Sequence, residues 1–446
     1  MNTELSPRKL RASARGVIAL AAALGAAVLV PVVAQPPKAA RPEDAITQPL
    51  TPRSGLRLPE FFIHDPWILA EQLTQTYYLY TSAPSRLTGL NRAGTFVYKS
   101  KDLATWEGPF VVFACPDDCW AVPQEGAWAP EVHAYKGKYY LFTTLHNPTK
   151  PLPTQGVPAR PNFMRSTMIA VSDSPMGPFT LLKKDAPVAP SSFMTLDGTL
   201  FVDPAGQPWM VYAHEHRQKH DGTMEALPLA DDLARAAGDP IYLFKASDAP
   251  WINEQAVPNA RATVYVTDGP ELFRTRTGQL LMLWSSYEKN DLGMDSYVET
   301  VARSRTGRLK GPWEQLPPLV RNDSGHGMLF RTFAGQLMLI VHQPFTGAHG
   351  MIYEMEDLGD NLRVVKYRDD LCGPPLGPQR GQTPSPVEPG SGGRLEFQPR
   401  VFVAATGALA QVDPVRRRVD VVAADAVEGR LPPLAFKAAV IAVVVV

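Results

Sequence analysis

Gly137-Lys138-Tyr139-Tyr140-Leu141-Phe142-Thr143-Thr144 is a turn glycine followed by an aromatic and apolar strand that ends in two small hydroxyl residues. The same order returns in Thr76-Tyr77-Tyr78-Leu79-Tyr80-Thr81-Ser82 and in Gly206-Gln207-Pro208-Trp209-Met210-Val211-Tyr212-Ala213. It returns again in Gly278-Gln279-Leu280-Leu281-Met282-Leu283-Trp284-Ser285-Ser286 and in Gly335-Gln336-Leu337-Met338-Leu339-Ile340-Val341. The copies are spaced by roughly 57 to 72 residues, the length of one propeller blade.

A second element follows the first four copies. It reads Tyr98-Lys99-Ser100-Lys101-Asp102-Leu103 with Trp106-Glu107-Gly108-Pro109, then Ala170-Val171-Ser172-Asp173-Ser174 with Gly177-Pro178-Phe179. The third copy is Leu229-Ala230-Asp231-Asp232-Leu233, the fourth Ala302-Arg303-Ser304 with Gly311-Pro312-Trp313, and Met355-Glu356-Asp357-Leu358 is a weaker fifth. Radial repetition of a four-stranded sheet produces such a pair in every blade. A β-sandwich also alternates strands and turns, but it does not require two signatures paired at a blade-length period. The expected fold is therefore all-β, a five-bladed β-propeller over residues 57–372.

Composition agrees with short strands and tight turns: the 446 residues include 44 Pro, 33 Gly, 8 Trp, 14 Tyr and 18 Phe. Lys+Arg and Asp+Glu both number 44, and no long basic run follows the N-terminus, so the electrostatic footprint of a nucleic-acid binder is missing. A neutral partner is expected. Arg8, Lys9, Arg11 and Arg15 precede an apolar run at 16–34 that ends Val32-Val33-Ala34, so residues 1–34 read as a secretory signal peptide. An uncleaved anchor is the rival, since the run approaches the ~18 apolar residues that can span a bilayer. The expected location is secreted or periplasmic, with no other membrane contact, and the chain is expected to be a monomer. Residues 35–56 read as a linker, 373–393 as a Pro/Gly-rich linker, and 394–446 as a C-terminal extension without site chemistry. Of the three cysteines, Cys115 and Cys119 are spaced for a small loop disulfide in an exported protein, and no second Cys/His pair supports zinc.

Acids that open the innermost strands of a propeller converge on one rim. Asp65 in His64-Asp65-Pro66, Asp197 in Leu196-Asp197-Gly198 and Asp268 in Thr267-Asp268-Gly269-Pro270 stand at such matching places, each ahead of its Gly-turn strand by about a strand plus a turn. The matching stretch of blade two is Gly126-Ala127-Trp128-Ala129-Pro130-Glu131-Val132. An isolated Asp before Gly or Pro is usually a turn residue bonding its own backbone. Recurrence argues for chemistry instead, because glycoside hydrolysis needs one carboxyl held protonated and a second held ionised. A third acid nearby can keep the proton on the first.

The ordered set His64-Asp65-Pro66, Trp128-Ala129-Pro130-Glu131-Val132, Leu196-Asp197-Gly198-Thr199-Leu200-Phe201, Thr267-Asp268-Gly269-Pro270 and Gly325-His326-Gly327 resembles glycoside hydrolase family 43. The resemblance implies a five-bladed propeller and inverting hydrolysis of arabinose-, xylose- or galactose-containing plant glycans, most simply removal of terminal α-L-arabinofuranosyl or β-D-xylosyl units. Carried over by position, it implies Asp65 as general base, Asp197 as the acid that tunes the pKa, and Asp268 in the place of the general acid. It implies no required cofactor, and a calcium or sodium ion in the central channel, held through water by His326. The family's acid is usually Glu before Gly-Pro or Ala-Pro, and Asp268 is one methylene shorter. Glu271 is the alternative acid, although strand alternation sets residues three apart on opposite faces. His64, Trp128, Glu131 and His214 are the expected sugar contacts, while Trp209, inside a strand, is expected in the core. Two other readings stay open: a carbohydrate-binding propeller without catalysis, and a retaining fructan-type glycosidase, whose Asn-Asp-Pro-Asn-Gly stretch is missing here.

Overall fold

The computed structural model describes residues 45–153, 162–256, 263–289, 293 and 295–375, with the backbone of two short strands at 403–405 and 408–410. The expected signal segment lies outside the described residues, as do residues 376–393 of the second linker.

Blade one holds β2 (Trp67–Glu71), β3 (Thr76–Ala83), β4 (Gly94–Ser100) and β5 (Trp106–Ala114), with β1 (Arg53–Leu56) added on its outer edge. Residues 53–56, expected as linker, are thus a strand of the propeller: Arg53 pairs with Gly108, Leu56 pairs with Trp106, and the Leu56 side chain is buried. Blade two is β6 (Gly126–Tyr135), β7 (Lys138–Pro151), β8 (Phe163–Ser172) and β9 (Thr180–Leu181). Blade three is β10 (Thr195–Val202), β11 (Pro208–His214), β12 (Thr223–Pro228) and β13 (Ile241–Lys245). A short ribbon, β14 (Gln255–Ala256) with β15 (Thr263–Val264), precedes blade four: β16 (Asp268–Arg274), β17 (Leu280–Lys289), β18 (Asp295–Ser304) and β19 (Trp313–Gln315). Blade five is β20 (Gly325–Arg331), β21 (Leu337–Gln343), β22 (His349–Asp357) and β23 (Leu362–Tyr367). All pairings are antiparallel within a blade. The inner strands touch in the cycle β2, β6, β10, β16, β20 and back to β2, so the sheets close into a five-bladed ring. In the second unit, Thr383–Val446, β24 (Val403–Ala405) pairs with β25 (Ala408–Ala410).

The five quoted Gly-turn segments are the second strands of the blades, and the paired elements are the ends of the third strands with the turns into the fourth. The reason for the glycine is visible in the turns. Gly137, Gly206, Gly278 and Gly335 have φ of 79, 86, 84 and 84°, a left-handed conformation that side chains resist. Blade one uses Gln75 at φ 50° instead. The apolar faces of neighbouring blades pack on one another: Val211, Met224 and Leu243 of blade three meet Met282, Trp284 and Ala302 of blade four, and Trp209 packs against that cluster. Cys115 and Cys119 are free thiols with Sγ atoms 3.6 Å apart. Among the described residues no helix is long and apolar enough to cross a membrane.

Four of the five inner strands begin with a bulge, and the bulge sets the site. Trp128, Leu196, Asp268 and Gly325 face Thr144, Ala213, Ser285 and His342, and the next facing pairs begin three residues on, at Glu131, Thr199, Glu271 and Met328. Inside the bulge sits one residue of positive φ: Ala129 at 44°, Asp197 at 54°, Gly269 at 49° and His326 at 48°. Asp65, at 52° and two residues before Trp67, holds the same place in blade one. The register corrects one expectation: Asp65 and Asp197 are equivalent, but Asp268 stands one residue earlier, where blade three has Leu196.

Replacing Gly137 by Ala is expected to lower the unfolding free energy by about 1 kcal/mol, because Cβ is placed in the left-handed region with no new contact to offset it. Gln75→Gly, in the equivalent turn, should not lower it. Urea denaturation of both variants checks the pair.

Candidate active site

Asp65 sits where three imidazoles converge. Its Oδ1 lies 2.8 Å from His64 Nδ1, 3.2 Å from His326 Nδ1 and 3.3 Å from His342 Nδ1. The Asp65 amide donates to His342 Nδ1 at 3.3 Å, and Thr81 Oγ1 both accepts from the His64 amide at 3.2 Å and donates to the His64 carbonyl at 2.8 Å. His64 Nε2 lies 3.1 Å from the Phe345 carbonyl, so both of its ring nitrogens are engaged. Burial pushes the Asp65 carboxyl up, but the His326 and His64 imidazoles outweigh it and hold the group well below the ordinary aspartate range. Burial likewise pulls His64 down, and Asp65 reverses that, leaving His64 raised. His342, fully buried beside His64, is lowered to about 4. The result is a carboxyl favoured as the ion, with an imidazole against it whose protonation it favours and a second, His342, kept neutral by burial.

Asp197 has the same backbone position and the opposite state. Its amide donates to Thr144 Oγ1 at 3.0 Å, and the next amide, Gly198, donates to Thr167 Oγ1 at 2.9 Å. Asp197 Oδ2 accepts the Gly269 amide at 3.4 Å. Burial first, and then the charge and hydrogen bond of Asp268, raise its carboxyl well above the aspartate range. Asp197 and Asp268 therefore form a carboxyl pair in which ionisation of Asp197 is disfavoured. Asp268 Oδ2 accepts the Tyr297 hydroxyl at 2.7 Å, and its Oδ1 is 3.6 Å from His326 Nδ1. His326 is set by its own amide, which donates to Ser285 Oγ at 2.7 Å; Ser285 in turn donates to Glu299 at 2.9 Å. All three expected acids thus meet around one imidazole.

Glu271, the alternative acid, is not in this group. It is buried and accepts the Leu329 amide of the next inner strand at 2.9 Å, with its pKa pushed by burial to about 8. Glu131 is likewise sealed below the rim, 3.1 Å from His133 Nε2, and is raised well above the glutamate range by burial and by the charges of Glu271 and Asp65. His214 is 2 % exposed, with Nδ1 3.0 Å from Glu225 and Nε2 2.8 Å from Gln218, which leaves neither nitrogen for a sugar. Trp128 differs from these: it is 43 % exposed on the rim, with the Arg165 guanidinium 4.7 Å over its ring and His146 against it edge-on. Arg165 is itself held by Glu215 at 2.6 Å. Reading the sequence missed His342 and Tyr297. His342 could have been found, since it extends the Gly335 strand to the position where other blades carry Thr144 and Ser285.

A hard cation suits part of this set. Asp197, Asp268 and His326 offer ligand atoms within 4.8 Å of one another, two of them carboxylate oxygens.

A closed five-bladed ring with converging carboxyls at one mouth defines a propeller glycosidase, and comparison with known proteins gives the family. Residues 59–361 match the model of glycosyl hydrolases family 43. The endo-arabinase of Bacteroides thetaiotaomicron VPI-5482 is 39 % identical, with 68 % of this chain and 98 % of that one covered and a TM-score of 0.58. A thermostable family-43 glycoside hydrolase (20 % identity, 75 % and 97 % covered, TM-score 0.53) shares the fold. So does the α-L-arabinofuranosidase of Lactobacillus brevis (15 %, 70 % and 100 %, 0.51). No curated protein matches the chain. The chain belongs to glycoside hydrolase family 43.

Glu271→Gln separates structure from chemistry. The folded-state pKa of about 8 lies above the ordinary glutamate value near 4.3, so this group costs stability progressively as pH rises from about 4.3 to 8 and no further above that. Relative to the parent, the Gln variant should gain stability between pH 5 and pH 8, on the order of a few kcal/mol, while activity stays within about threefold. Melting curves across that pH range, with activity at one pH, check both halves.

Proposed function

We propose that this glycosidase hydrolyses α-L-arabinofuranosyl linkages of plant-type glycans with inversion, β-D-xylosyl linkages being the competing substrate. The observation that carries the chemistry is the meeting of three carboxyls around His326, where imidazoles favour ionisation of Asp65 and burial beside Asp268 disfavours it in Asp197. The description of the 39 % identical relative as an endo-arabinase supports arabinose over xylose. In the reaction, Asp65 takes a proton from water as the water oxygen bonds to the anomeric carbon. The carbon–oxygen bond to the leaving sugar breaks on the opposite face, and Asp268 gives that oxygen a proton drawn from the pair it forms with Asp197. Asp65 and Asp268 reach the same His326 nitrogen with their Oδ1 atoms, at 3.2 and 3.6 Å, so the two carboxyls share one pocket.

Trp128 is the wall on which a sugar stacks, since its ring is exposed at the rim and backed by Arg165. A calcium or sodium ion, where bound, would be held by His326 through water beside Asp197 and Asp268, and would supply fixed positive charge next to those carboxyls. The basic and apolar segment at 1–34 supports export to the periplasm or beyond, and we propose that the enzyme acts there as a monomer.

Asp65→Asn should lower kcat on arabino-oligosaccharides by roughly 10³-fold without loss of fold. NMR of the first-formed product should show inverted anomeric configuration in the parent; retained configuration would sink the assignment of Asp65 as base. Trp128→Ala should raise KM about tenfold, equivalent to ~1.4 kcal/mol of binding, with a much smaller change in kcat. Release of oligomers rather than single sugars from arabinan distinguishes internal from terminal cleavage.

A further inference from the structure

We propose that Tyr297 is a positioning residue for the acid step, the group that lets an aspartate serve at position 268. This rests on the reading of Asp268 as the acid. The Tyr297 hydroxyl donates to Asp268 Oδ2 at 2.7 Å from a fully buried side chain on β18. Its ring has little freedom. It lies parallel to His342 at 5.6 Å and 4°, meets Phe345 edge-on at 5.1 Å, and packs on Tyr287 at 5.1 Å. Gly325 closes the remaining side: a Cβ there would stand 2.4 Å from Tyr297 Cε1. The hydroxyl is therefore a fixed point.

An aspartate carboxyl turns about its last torsion with a broad preference, so two oxygens can exchange places unless one is held. Tyr297 holds Oδ2, which leaves Oδ1 as the oxygen on the His326 side, 3.6 Å from that ring and facing the mouth that Asp65 shares. A short arm cannot search for the leaving oxygen, and fixing its orientation restores the near-attack geometry that a longer glutamate reaches by flexing. Attack by water, the work of Asp65, does not pass through Tyr297.

Tyr297→Phe keeps the ring and removes the hydroxyl. Kinetics are compared on an arabino-oligosaccharide, whose leaving oxygen needs a proton, and on 4-nitrophenyl α-L-arabinofuranoside, whose leaving group needs little help. The expected result is a fall in kcat on the oligosaccharide of roughly 10- to 100-fold, with KM within about threefold, and a loss on the aryl substrate about tenfold smaller. Equal losses on both substrates, or none on either, would overturn the proposal. Asp268→Ala run beside it tests the reading beneath. A split for Asp268→Ala without one for Tyr297→Phe sinks the role of Tyr297 alone, and the absence of a split for Asp268→Ala sinks both. Should melting show that Tyr297→Phe does not fold, Gly325→Ala, whose Cβ displaces the same ring, must give the same split.

Discussion

One hydrogen bond at the head of an inner strand recurs around the ring, and the site depends on it. The bulge leaves its positive-φ residue out of the strand ladder, so the amide of that residue needs another partner. Left unpaired and buried it would cost about 1–3 kcal/mol. In three blades the partner comes from the second strand of the preceding blade: Thr144 for Asp197, Ser285 for His326, and His342 for Asp65; in blade four Gly269 turns instead to Asp197 Oδ2. The third of these joins blade five to blade one, where the ring closes. Each bond ties one blade to the next and at the same moment fixes the direction of a side chain at the mouth of the channel. The small polar residues that end the repeated strands are therefore part of the active-site frame.

With the backbone the same, the neighbours decide the chemistry. Asp65 and Asp197 occupy equivalent positions at matching φ, and both are buried enough that water alone would not set their charge. Imidazoles around Asp65 stabilise the carboxylate; a second carboxyl beside Asp197 stabilises the acid. Asp268 enters from one residue earlier, an extended position rather than the bulge corner, and its second oxygen is taken by Tyr297. The three acids are consequently a carboxylate with its own counter-charges and a carboxyl pair, joined through His326. Glu131 and Glu271, which occupy the position two residues after the bulge corner, point into the packed interior and serve the ring rather than the sugar.

Much of this was legible in the chain. The Gly-turn strands and their paired elements predicted five blades at the right places because a turn needing positive φ must repeat wherever the blade repeats. The acids were legible because they interrupt apolar strands at regular intervals. Trp128 stood out beside a proline and is exposed on the rim. Glu131, His64 and His214 were grouped with it as sugar contacts, yet the structure spends their polar atoms on His133, on Asp65 and Phe345, and on Glu225 and Gln218. Nothing in one sequence distinguishes a rim polar group with a partner from one without. Residues 53–56 were misassigned for a similar reason: a short polar strand gains its place only by pairing with an edge that the rest of the chain creates.

By itself the sequence determined the architecture and the identity of the carboxyls, since turn chemistry and strand periodicity are local and repeat with the blade. The tertiary structure decided which carboxyl is favoured ionised and in which ionisation is disfavoured. Beside the neighbouring His64, that depends on contacts of Asp65 with His326 and His342 and of Asp197 with Asp268, groups more than seventy residues apart along the chain. Charge at a buried site is set by what lies within a few ångströms, and only closing the ring brings those groups that near.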